Sequence, residues 1–391
     1  MISYLSASWV YPVSSAPLKS GVIALETDGT IAEILTAEEA ESKNIKNITH
    51  YRGSLVPGLI NTHCHLELSH LMGKIPTNTG LPGFVQQVMQ QRAASADEIE
   101  AAMLKADAEM YANGIVAIGD ISNQTSSKGV KLQSKIYYHT FVETMGFNPD
   151  KAIEIIKKAE DTKSAFAPLR ATIVPHAPYS VSSPLFGEIF RTSGAEGESV
   201  SIHNQETADE NAFFETRSGH FLKLYEFLGL DISFFEAKGK SSLQTYLPLL
   251  SKAAKTLLVH NTFTNKNDLE FAKLTHPHLY WCLCPNANLY IENRLPDIKL
   301  LRNSELTITL GTDSLGSNHQ LSVLAEMLTL QEQAAVPFDE LLLWATLNGA
   351  SFLGISPQYG SFEKGKKPGI NLIQGMKEGR LSTESNIQRL I

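Results

Sequence analysis

One stretch of the chain, residues 55–70 (LVPGLINTHCHLELSH), constrains both the fold and the chemistry. It opens with an apolar run that is typical of a buried strand. It closes with His63 and His65, and residues two apart on a strand point to the same face. Both imidazoles should therefore leave the strand end in one direction, which supplies half of a transition-metal site. Taken alone, a His-x-His pair is more often an ordinary strand end, so the rest of the chain must decide.

The bulk composition fits a single large barrel with an appendage. The chain has 391 residues, of which 43% are apolar, enough for a sizeable core. The formal net charge is −8 and no long basic run occurs, which argues against a nucleic-acid partner. No stretch reaches about 18 uninterrupted apolar residues, so we expect no transmembrane helix.

The cysteines and the N-terminal sequence indicate a cytoplasmic protein. Cys64, Cys282 and Cys284 are an odd number without the spacing of a disulfide framework, so we expect reduced strand residues. The first residues, MISYLSASWVYPVSS, lack the basic region and the long apolar region of a signal peptide.

The order of apolar runs and helical stretches predicts an α/β fold. From residue 55 to about 355, eight short apolar strands alternate with helical segments, which predicts a closed (β/α)₈ (TIM) barrel. The predicted strands begin at residue 55 and continue at 114–122, 135–144, 170–178, 199–206, 256–261, 279–285 and 306–314. The clearest predicted helices cover 321–335 and 338–354, and residues 84–112 and a stretch near 149–161 also have helix-forming sequences.

The two chain ends should form a second, smaller domain. Residues 1–54 contain short strands and a hairpin signal, SGVIALETDGTIAEIL, with Asp-Gly at its tip. Residues 356–391 return to turns and a short strand. We therefore predict a composite β-sandwich built from both termini, with the barrel (residues 55–355) inserted between its halves.

Polar side chains occur where the predicted barrel strands end. In such barrels the functional residues lie at the carboxyl ends of the strands. Each residue alone would usually be structural, but their joint occurrence on five strand ends is unlikely to be chance. They are His63, His65, His176, His203, Glu206, His260 and Asp313.

These residue types suit hydrolytic metal chemistry. Three imidazoles and a carboxylate form a mixed ligand set for one divalent ion, Zn²⁺ first and Fe²⁺ second. They are His63, His65, His203 and Asp313. The ion would lower the pKa of a coordinated water towards about 7. Glu206 can donate and accept protons, and His260 can orient the attacking water and stabilise charge. The predicted fourth strand has no lysine to bridge a second metal, so we expect a mononuclear site.

Six motifs make the chain resemble the amidohydrolase superfamily, in its aminohydrolase (deaminase and chlorohydrolase) branch. They are PGLINTHCH (57–65), PHAPYS (175–180), HNQE (203–206), HN (260–261), CPNAN (284–288) and GTDSLGSN (311–318). The flanking segments DGTIAEI and KGKKPGINLI are similar to that family's composite β-sandwich. Two departures exist: LELSH follows the His-x-His pair, and Gly369-Ile370-Asn371 stands where many relatives carry Ala-Asp-Leu.

The resemblance implies roles for individual residues. It implies the same four metal ligands, a proton shuttle to a ring nitrogen for Glu206, and water activation by His260 with Asp313. His176 resembles the substrate-contacting histidine of adenosine- and S-adenosylhomocysteine-type deaminases. Barrels with a composite β domain also often form homodimers.

The substrate is indicated by short motifs only. HLELS together with HAPYS resembles deaminases of aminofutalosine, a nucleoside of menaquinone biosynthesis. The Glu67 carboxylate either contacts a ribose hydroxyl or the ring edge of the substrate, or it does not contact substrate and instead supports the metal ligands or faces solvent. Arg294 either grips a substrate carboxylate in bidentate fashion or forms a surface salt bridge.

Three functions are compatible with these observations. A hydrolytic deaminase of a purine-type ring or nucleoside uses every residue placed above. A triazine-type chlorohydrolase or a cyclic amidohydrolase would keep the site and change the bond that is cleaved. A non-catalytic barrel scaffold would have lost ligand histidines, whereas here all the expected positions are filled.

Overall fold

Five strands precede the barrel in the computed structural model, which describes residues 2–391. They are β1 (Ser3–Val10), β2 (Leu18–Lys19), β3 (Val22–Leu25), β4 (Ile31–Leu35) and β5 (Ile48–Pro57). β3 and β4 pair antiparallel, as the Asp-Gly signal predicted. Gly29 lies in their turn with φ +88°, a conformation that glycine adopts without steric cost. β1 pairs antiparallel with β3 and parallel with β5.

Eight strands form the barrel. They are β6 (Leu59–Cys64), β7 (Ile115–Ser122), β8 (Tyr137–Thr144), β9 (Arg170–Pro175), β10 (Ser199–Asn204), β11 (Lys255–His260), β12 (Leu279–Leu283) and β13 (Ile308–Leu310). Every neighbouring pair within β6–β9 and within β10–β13 is parallel.

Hydrogen bonds beyond the regular ladders join the two groups of four strands. The His203 N–H donates to the His176 carbonyl over 2.9 Å and connects β9 with β10. On the other side, Thr312 and Asp313 donate to the His63 carbonyl over 3.0 and 3.1 Å. The eight strands therefore close on themselves, and the predicted (β/α)₈ barrel is confirmed.

Helices surround the strands. They are α1 (Ala37–Ser42), α2 (Gly80–Gln91), α3 (Ala96–Ala112), α4 (Lys128–Gln133), α5 (Ala152–Ala165), α6 (Ser183–Ser193), α7 (Ala208–Thr216), α8 (Phe221–Phe227), α9 (Ser242–Tyr246), α10 (Lys266–Thr275), α11 (Pro285–Glu292), α12 (Ile298–Asn303), α13 (Val323–Ala334), α14 (Phe338–Ala345) and α15 (Leu347–Leu353). Among residues 2–391, no helix combines the length and the apolar character that crossing a bilayer requires.

Two predicted helices are interrupted, so the prediction of continuous helices there is wrong. The stretch 84–112 breaks between α2 and α3, where the Ser95 hydroxyl accepts a hydrogen bond from the Glu98 N–H and caps a new helix. The stretch 338–354 breaks at Thr346, whose φ and ψ of −136° and −87° lie outside the helical region.

The C-terminal strands return to the N-terminal sheet. They are β14 (Ile370–Gln374) and β15 (Asn386–Arg389). β14 pairs antiparallel with β5 on one side and with β15 on the other, so both chain ends share one seven-stranded sheet. Leu55 and Val56, which the sequence assigned to the first barrel strand, lie in β5 instead. The domain boundaries at 54/55 and 355/356 stay a prediction.

A buried ion pair lies between α4 and the barrel. Lys131 Nζ lies 2.6 Å from Oδ2 of Asp120, and neither side chain is exposed. The ammonium also donates to the hydroxyls of Ser122 and Thr140, each over 3.0 Å. The second Asp120 oxygen accepts the Leu66 N–H over 2.8 Å. The pair thus supports the backbone immediately after His65.

We expect Lys131→Ala to lower the free energy of unfolding by about 3–5 kcal/mol, because it leaves the Asp120 carboxylate buried without a cation. Denaturant unfolding followed by circular dichroism measures this. Lys105→Ala is the control: its side chain is 69% exposed, and loss of its ion pair should cost less than about 1 kcal/mol. Equal losses in the two variants would contradict the assignment.

Candidate metal centre and active site

The first barrel strand delivers two imidazoles to one point. Nε2 of His63 lies 3.1 Å from Nε2 of His65, as their two-residue spacing predicted. Asp313 follows the last barrel strand, and its Oδ1 lies 3.5 Å from the His63 nitrogen and 3.3 Å from the His65 nitrogen. The Ser317 hydroxyl donates to the other Asp313 oxygen. Asp313 has φ +56°, an uncommon conformation for a non-glycine residue.

Two more imidazoles complete the cluster. The ring of His63 is 4.9 Å from the ring of His203 and 5.9 Å from that of His260. One ligand atom from each of these three histidines and from Asp313 lies within 4.8 Å of the others. The structure therefore brings together all four ligands predicted from the sequence, with His260 beside them.

Hydrogen bonds orient the two later imidazoles. The His203 Nδ1 donates to the His176 carbonyl over 2.7 Å, and a carbonyl can only accept. The His260 Nδ1 donates to Oδ1 of Asn288 over 2.8 Å. In both rings Nε2 is consequently the atom with the free lone pair, as in metal-binding histidines held by a second partner.

These residues fit a divalent metal ion. In a tetrahedral site with bonds of about 2.1 Å, neighbouring ligand atoms lie about 3.4 Å apart, close to the spacings around His63, His65 and Asp313. Burial lowers the pKa of His65 to about 3 and that of His260 to about 4, so both imidazoles are neutral. Neutral imidazole nitrogens facing a carboxylate form a favourable arrangement around a cation.

The carboxylate of the cluster stays ionised. Burial alone would raise the pKa of Asp313, but its contacts with His63, His65 and His260 lower that pKa well below the usual range. The site thus combines neutral nitrogen donors with one negative oxygen donor, the mixed set expected for a borderline ion.

Glu206 lies beside the ligands, and its pKa shifts in the opposite direction to that of Asp313. Its Oε1 lies 3.5 Å from Nε2 of His260. Burial, reinforced by Asp313 and Glu210, raises the pKa of Glu206 well above its usual range. The Glu206 backbone N–H donates to Oε2 of Glu210 over 3.3 Å, which fixes the turn after β10. A carboxyl with a raised pKa in this position suits the role of a general acid.

The predicted substrate-binding residues lie in different surroundings. His176 is half-buried, 4.8 Å from the His203 ring, and burial lowers its pKa to about 4. Glu67 is buried, so it is not a solvent-facing carboxylate, and its Oε1 accepts the Asn123 N–H over 3.1 Å. Arg294 is exposed, with its guanidinium carbon 4.7 Å from the centre of the Phe263 ring. Contact of these three with substrate stays a prediction.

Sequence reasoning missed two residues that touch the cluster. Glu143, near the end of β8, has Oε1 3.6 Å from Nδ1 of His203, and burial raises its pKa to about 7. Its signal was a single acidic residue next to the end of the buried strand YYHTFVET. Asn288 belongs to the CPNAN motif, but its hydrogen bond to His260 has no counterpart in the linear sequence.

The comparison with protein families agrees with this geometry. The model of the amidohydrolase family matches residues 54–388. The chain belongs to the amidohydrolase family. The family is metal-dependent, and the cluster of three histidines and an aspartate agrees with that property.

Named relatives and a solved structure extend the comparison. An adenosine deaminase from Helicobacter pylori is 26% identical over 86% of this chain and 82% of its own length. An aminodeoxyfutalosine deaminase from Nitratiruptor sp. is 25% identical over 84% and 81%. The crystal structure of aminofutalosine deaminase from H. pylori in complex with methylthio-coformycin has a TM-score of 0.82 at 23% identity, covering 97% of this chain and 93% of that one. At that identity the structural likeness supports the fold.

We expect His63→Ala to be purified with on the order of a tenth or less of the wild-type metal content, because it removes a ligand from the centre of the cluster. Elemental analysis by plasma mass spectrometry measures this. His220→Ala is the matched control, since that histidine is 72% exposed and lies outside the cluster. Undiminished metal in His63→Ala would rule out the proposed ligand set.

Proposed function

We propose that the chain is a metal-dependent hydrolytic deaminase of an adenine-type nucleoside. The observation that carries the proposal is the position of Glu206, whose buried carboxyl lies 3.5 Å from Nε2 of His260 beside the metal ligands, where burial raises its pKa. Hydrolysis of an amidine carbon requires a proton donor for the ring nitrogen, and Glu206 supplies one. The adenosine deaminase and aminodeoxyfutalosine deaminase among the relatives support the same reaction class.

We propose that one zinc ion occupies the cluster, with Fe²⁺ as the alternative. The ligands are His63, His65, His203 and Asp313, and when bound the ion supplies an activated water molecule. The fourth barrel strand, RATIVP, provides no lysine to bridge a second ion. The set of nitrogen and oxygen donors, without a thiolate, is common to both metals.

Glu206 and His260 would carry out the proton transfers of this reaction. The Glu206 carboxyl donates its proton to the ring nitrogen, which makes the amidine carbon more electrophilic. The free lone pair of His260 Nε2, with the ionised Asp313 nearby, can accept the proton that the attacking water loses. The protonated His260 then donates its proton to the departing amino group. The Glu206 carboxylate accepts the proton that the new hydroxyl loses as the carbonyl forms, which returns both residues to their starting states. The balance is one water consumed and one ammonia released.

Aminofutalosine is one candidate substrate within this class. The motifs HLELS and HAPYS place Glu67 and His176 next to the metal ligands, where they would contact the sugar or the ring. Arg294 is exposed, and its guanidinium packs against an aromatic ring rather than a carboxylate. It would bind the benzoate of that nucleoside.

The alternative functions would use the same metal ligands but account for fewer features of the site. A triazine chlorohydrolase or a cyclic amidohydrolase would use the same metal ligands. A buried Glu206 with a raised pKa suits a ring nitrogen better than a chloride leaving group. A non-catalytic scaffold gains no support, because every predicted ligand position is filled and brought together.

We also propose a cytoplasmic location and a homodimer. The three cysteines are buried and form no disulfide, which agrees with a reducing compartment. The composite terminal sheet supplies a surface outside the barrel on which a second copy could associate.

We expect Glu206→Gln to keep its metal and lose turnover by a factor on the order of 10² or more, because the amide cannot donate and recover a proton as the carboxyl does. Steady-state ammonia release and metal analysis on the same preparation measure both. Glu154→Gln, at a side chain that is 75% exposed, is the control. A near-normal rate in Glu206→Gln would contradict the mechanism.

The proposed function is tested by ammonia release from adenosine, S-adenosylhomocysteine, guanine and aminofutalosine, on protein of known metal content. Release of ammonia from a nucleoside would support the proposal and identify the substrate that the pocket accepts. If none of the four compounds releases ammonia although the metal site is fully occupied, the result would count against deamination. It would favour hydrolysis of chlorinated triazines or cyclic amides.

A further inference from the structure

The Glu206 carboxyl has no short contact with another side chain to hold it in place. Its Oε1 lies 3.5 Å from Nε2 of His260, which is longer than an ordinary hydrogen bond. Glu206 belongs to the turn that follows β10, and that strand ends at Asn204. The direction in which the carboxyl points therefore depends on the backbone of this turn.

The backbone of the turn has an uncommon conformation. Gln205, directly before Glu206, has φ +45°, in the left-handed region that costs a non-glycine residue free energy. Successive N–H groups around such a residue form a concavity that binds an anion. A strained residue of this kind persists only where its surroundings stabilise it. We therefore expect a negatively charged acceptor against this turn.

Glu210 supplies the acceptor. Its Oε1 accepts the Gln205 N–H over 3.0 Å, and its Oε2 accepts the Glu206 N–H over 3.3 Å. The buried Ser242 hydroxyl also donates to Oε1. Burial raises the pKa of Glu210 to about 7, and each of these three hydrogen bonds lowers it in opposition. The turn thus stabilises the ionised form of Glu210, and that form in turn stabilises the turn.

The hydrogen bonds of Glu210 differ from those of an ordinary helix cap. Glu210 is the third residue of α7 (Ala208–Thr216), and the N-cap of this helix is Thr207. An acidic residue at the third position ordinarily accepts the N–H of the cap residue. Glu210 instead reaches back beyond Thr207 to Gln205 and Glu206. Its carboxyl therefore serves the turn of the active site.

The same turn is joined to the turn that follows β11. The Phe263 N–H donates to the Gln205 carbonyl over 2.9 Å, and the Asn261 N–H donates to the Asn204 carbonyl over 3.0 Å. β11 ends at His260. The turn that Glu210 stabilises consequently has a fixed place relative to His260.

We propose that Glu210 is a positioning residue of the active site, whose carboxyl holds the turn at Gln205 and thereby directs the Glu206 carboxyl toward the reacting ring. The proposal rests on the proposed function, since it assigns the group that supports the proton donor. An isosteric amide at position 210 should be enough to displace Glu206. It can accept only one of the two turn N–H groups, and its NH₂ group faces the other as a second donor.

The first test measures steady-state ammonia release and metal content of Glu210→Gln. We expect kcat to fall by about 10- to 10²-fold, because a displaced proton donor loses its alignment with the ring, while KM changes by less than about threefold. The metal content should stay that of the wild type. Glu215→Gln is the matched control, since Glu215 is an exposed carboxylate on the same helix and should keep kcat.

A double-variant cycle separates positioning from a general structural role. If Glu210 acts through Glu206, adding Glu210→Gln to Glu206→Gln should lower the residual rate by less than about threefold. A fall by the same factor in both backgrounds would overturn the proposal. If Glu210→Gln does not fold, Ser242→Ala replaces it in the cycle, because it removes one donor to Glu210 and should lower kcat by about three- to tenfold.

A crystal structure of metal-loaded Glu210→Gln distinguishes this inference from the proposed function, because it requires no turnover. We expect Gln205 to leave the left-handed region and the separation of Glu206 Oε1 and His260 Nε2 to change by about 1 Å or more. A displaced turn in a protein that releases no ammonia would support the inference and count only against the reaction. An unchanged turn and separation would overturn the inference even in an active deaminase.

Discussion

The carbonyl oxygen of His63 accepts hydrogen bonds from the backbone of both Thr312 and Asp313. This contact joins the first and last barrel strands at the height of the metal ligands. Asn61 reinforces it, because its side chain donates to the Thr312 hydroxyl over 2.7 Å and accepts the Thr312 N–H over 3.1 Å. The separation of His63 and Asp313 is thus set by barrel closure.

Burial sets the protonation states in the rest of the site. The same exclusion of water lowers the pKa of His260 to about 4 and raises the pKa of Glu206 well above its usual range. Asp313 escapes this effect because imidazoles surround it. A lone-pair base, an anionic ligand and a proton donor therefore coexist within a few ångströms, and the assignment of acid and base follows from the environment of each group.

The sequence predicted those parts of the site that depend on position along one strand. The spacing of His63 and His65 determined that their nitrogens would meet, and the rule that parallel strands end at one face brought His203 and Asp313 to them. Glu143 and Asn288 were missed because their partners lie on other barrel units, and no local pattern states which side chains meet across such units. The helix break near Ser95 was missed because helical periodicity continues on both sides of it.

The predicted start of the first barrel strand is wrong, because the terminal sheet and the barrel adjoin at that point. Leu55 and Val56 are as apolar as the strand that follows, yet they pair with β14. Only Gly58 separates β5 from β6, so the change from one sheet to the other leaves almost no trace in composition. Apolarity reports that a residue is buried and does not report which neighbour buries it.

The seven-stranded sheet also imposes an order on synthesis. β5 lies between β1 and β14, and about three hundred residues of barrel separate it from β14 in the chain. At the usual pace of translation, β5 waits about 15 to 60 s with one edge unpaired. During that interval the strand is a template for pairing with another nascent chain. β14, which is made later, covers this edge and so protects the sheet against association with another chain.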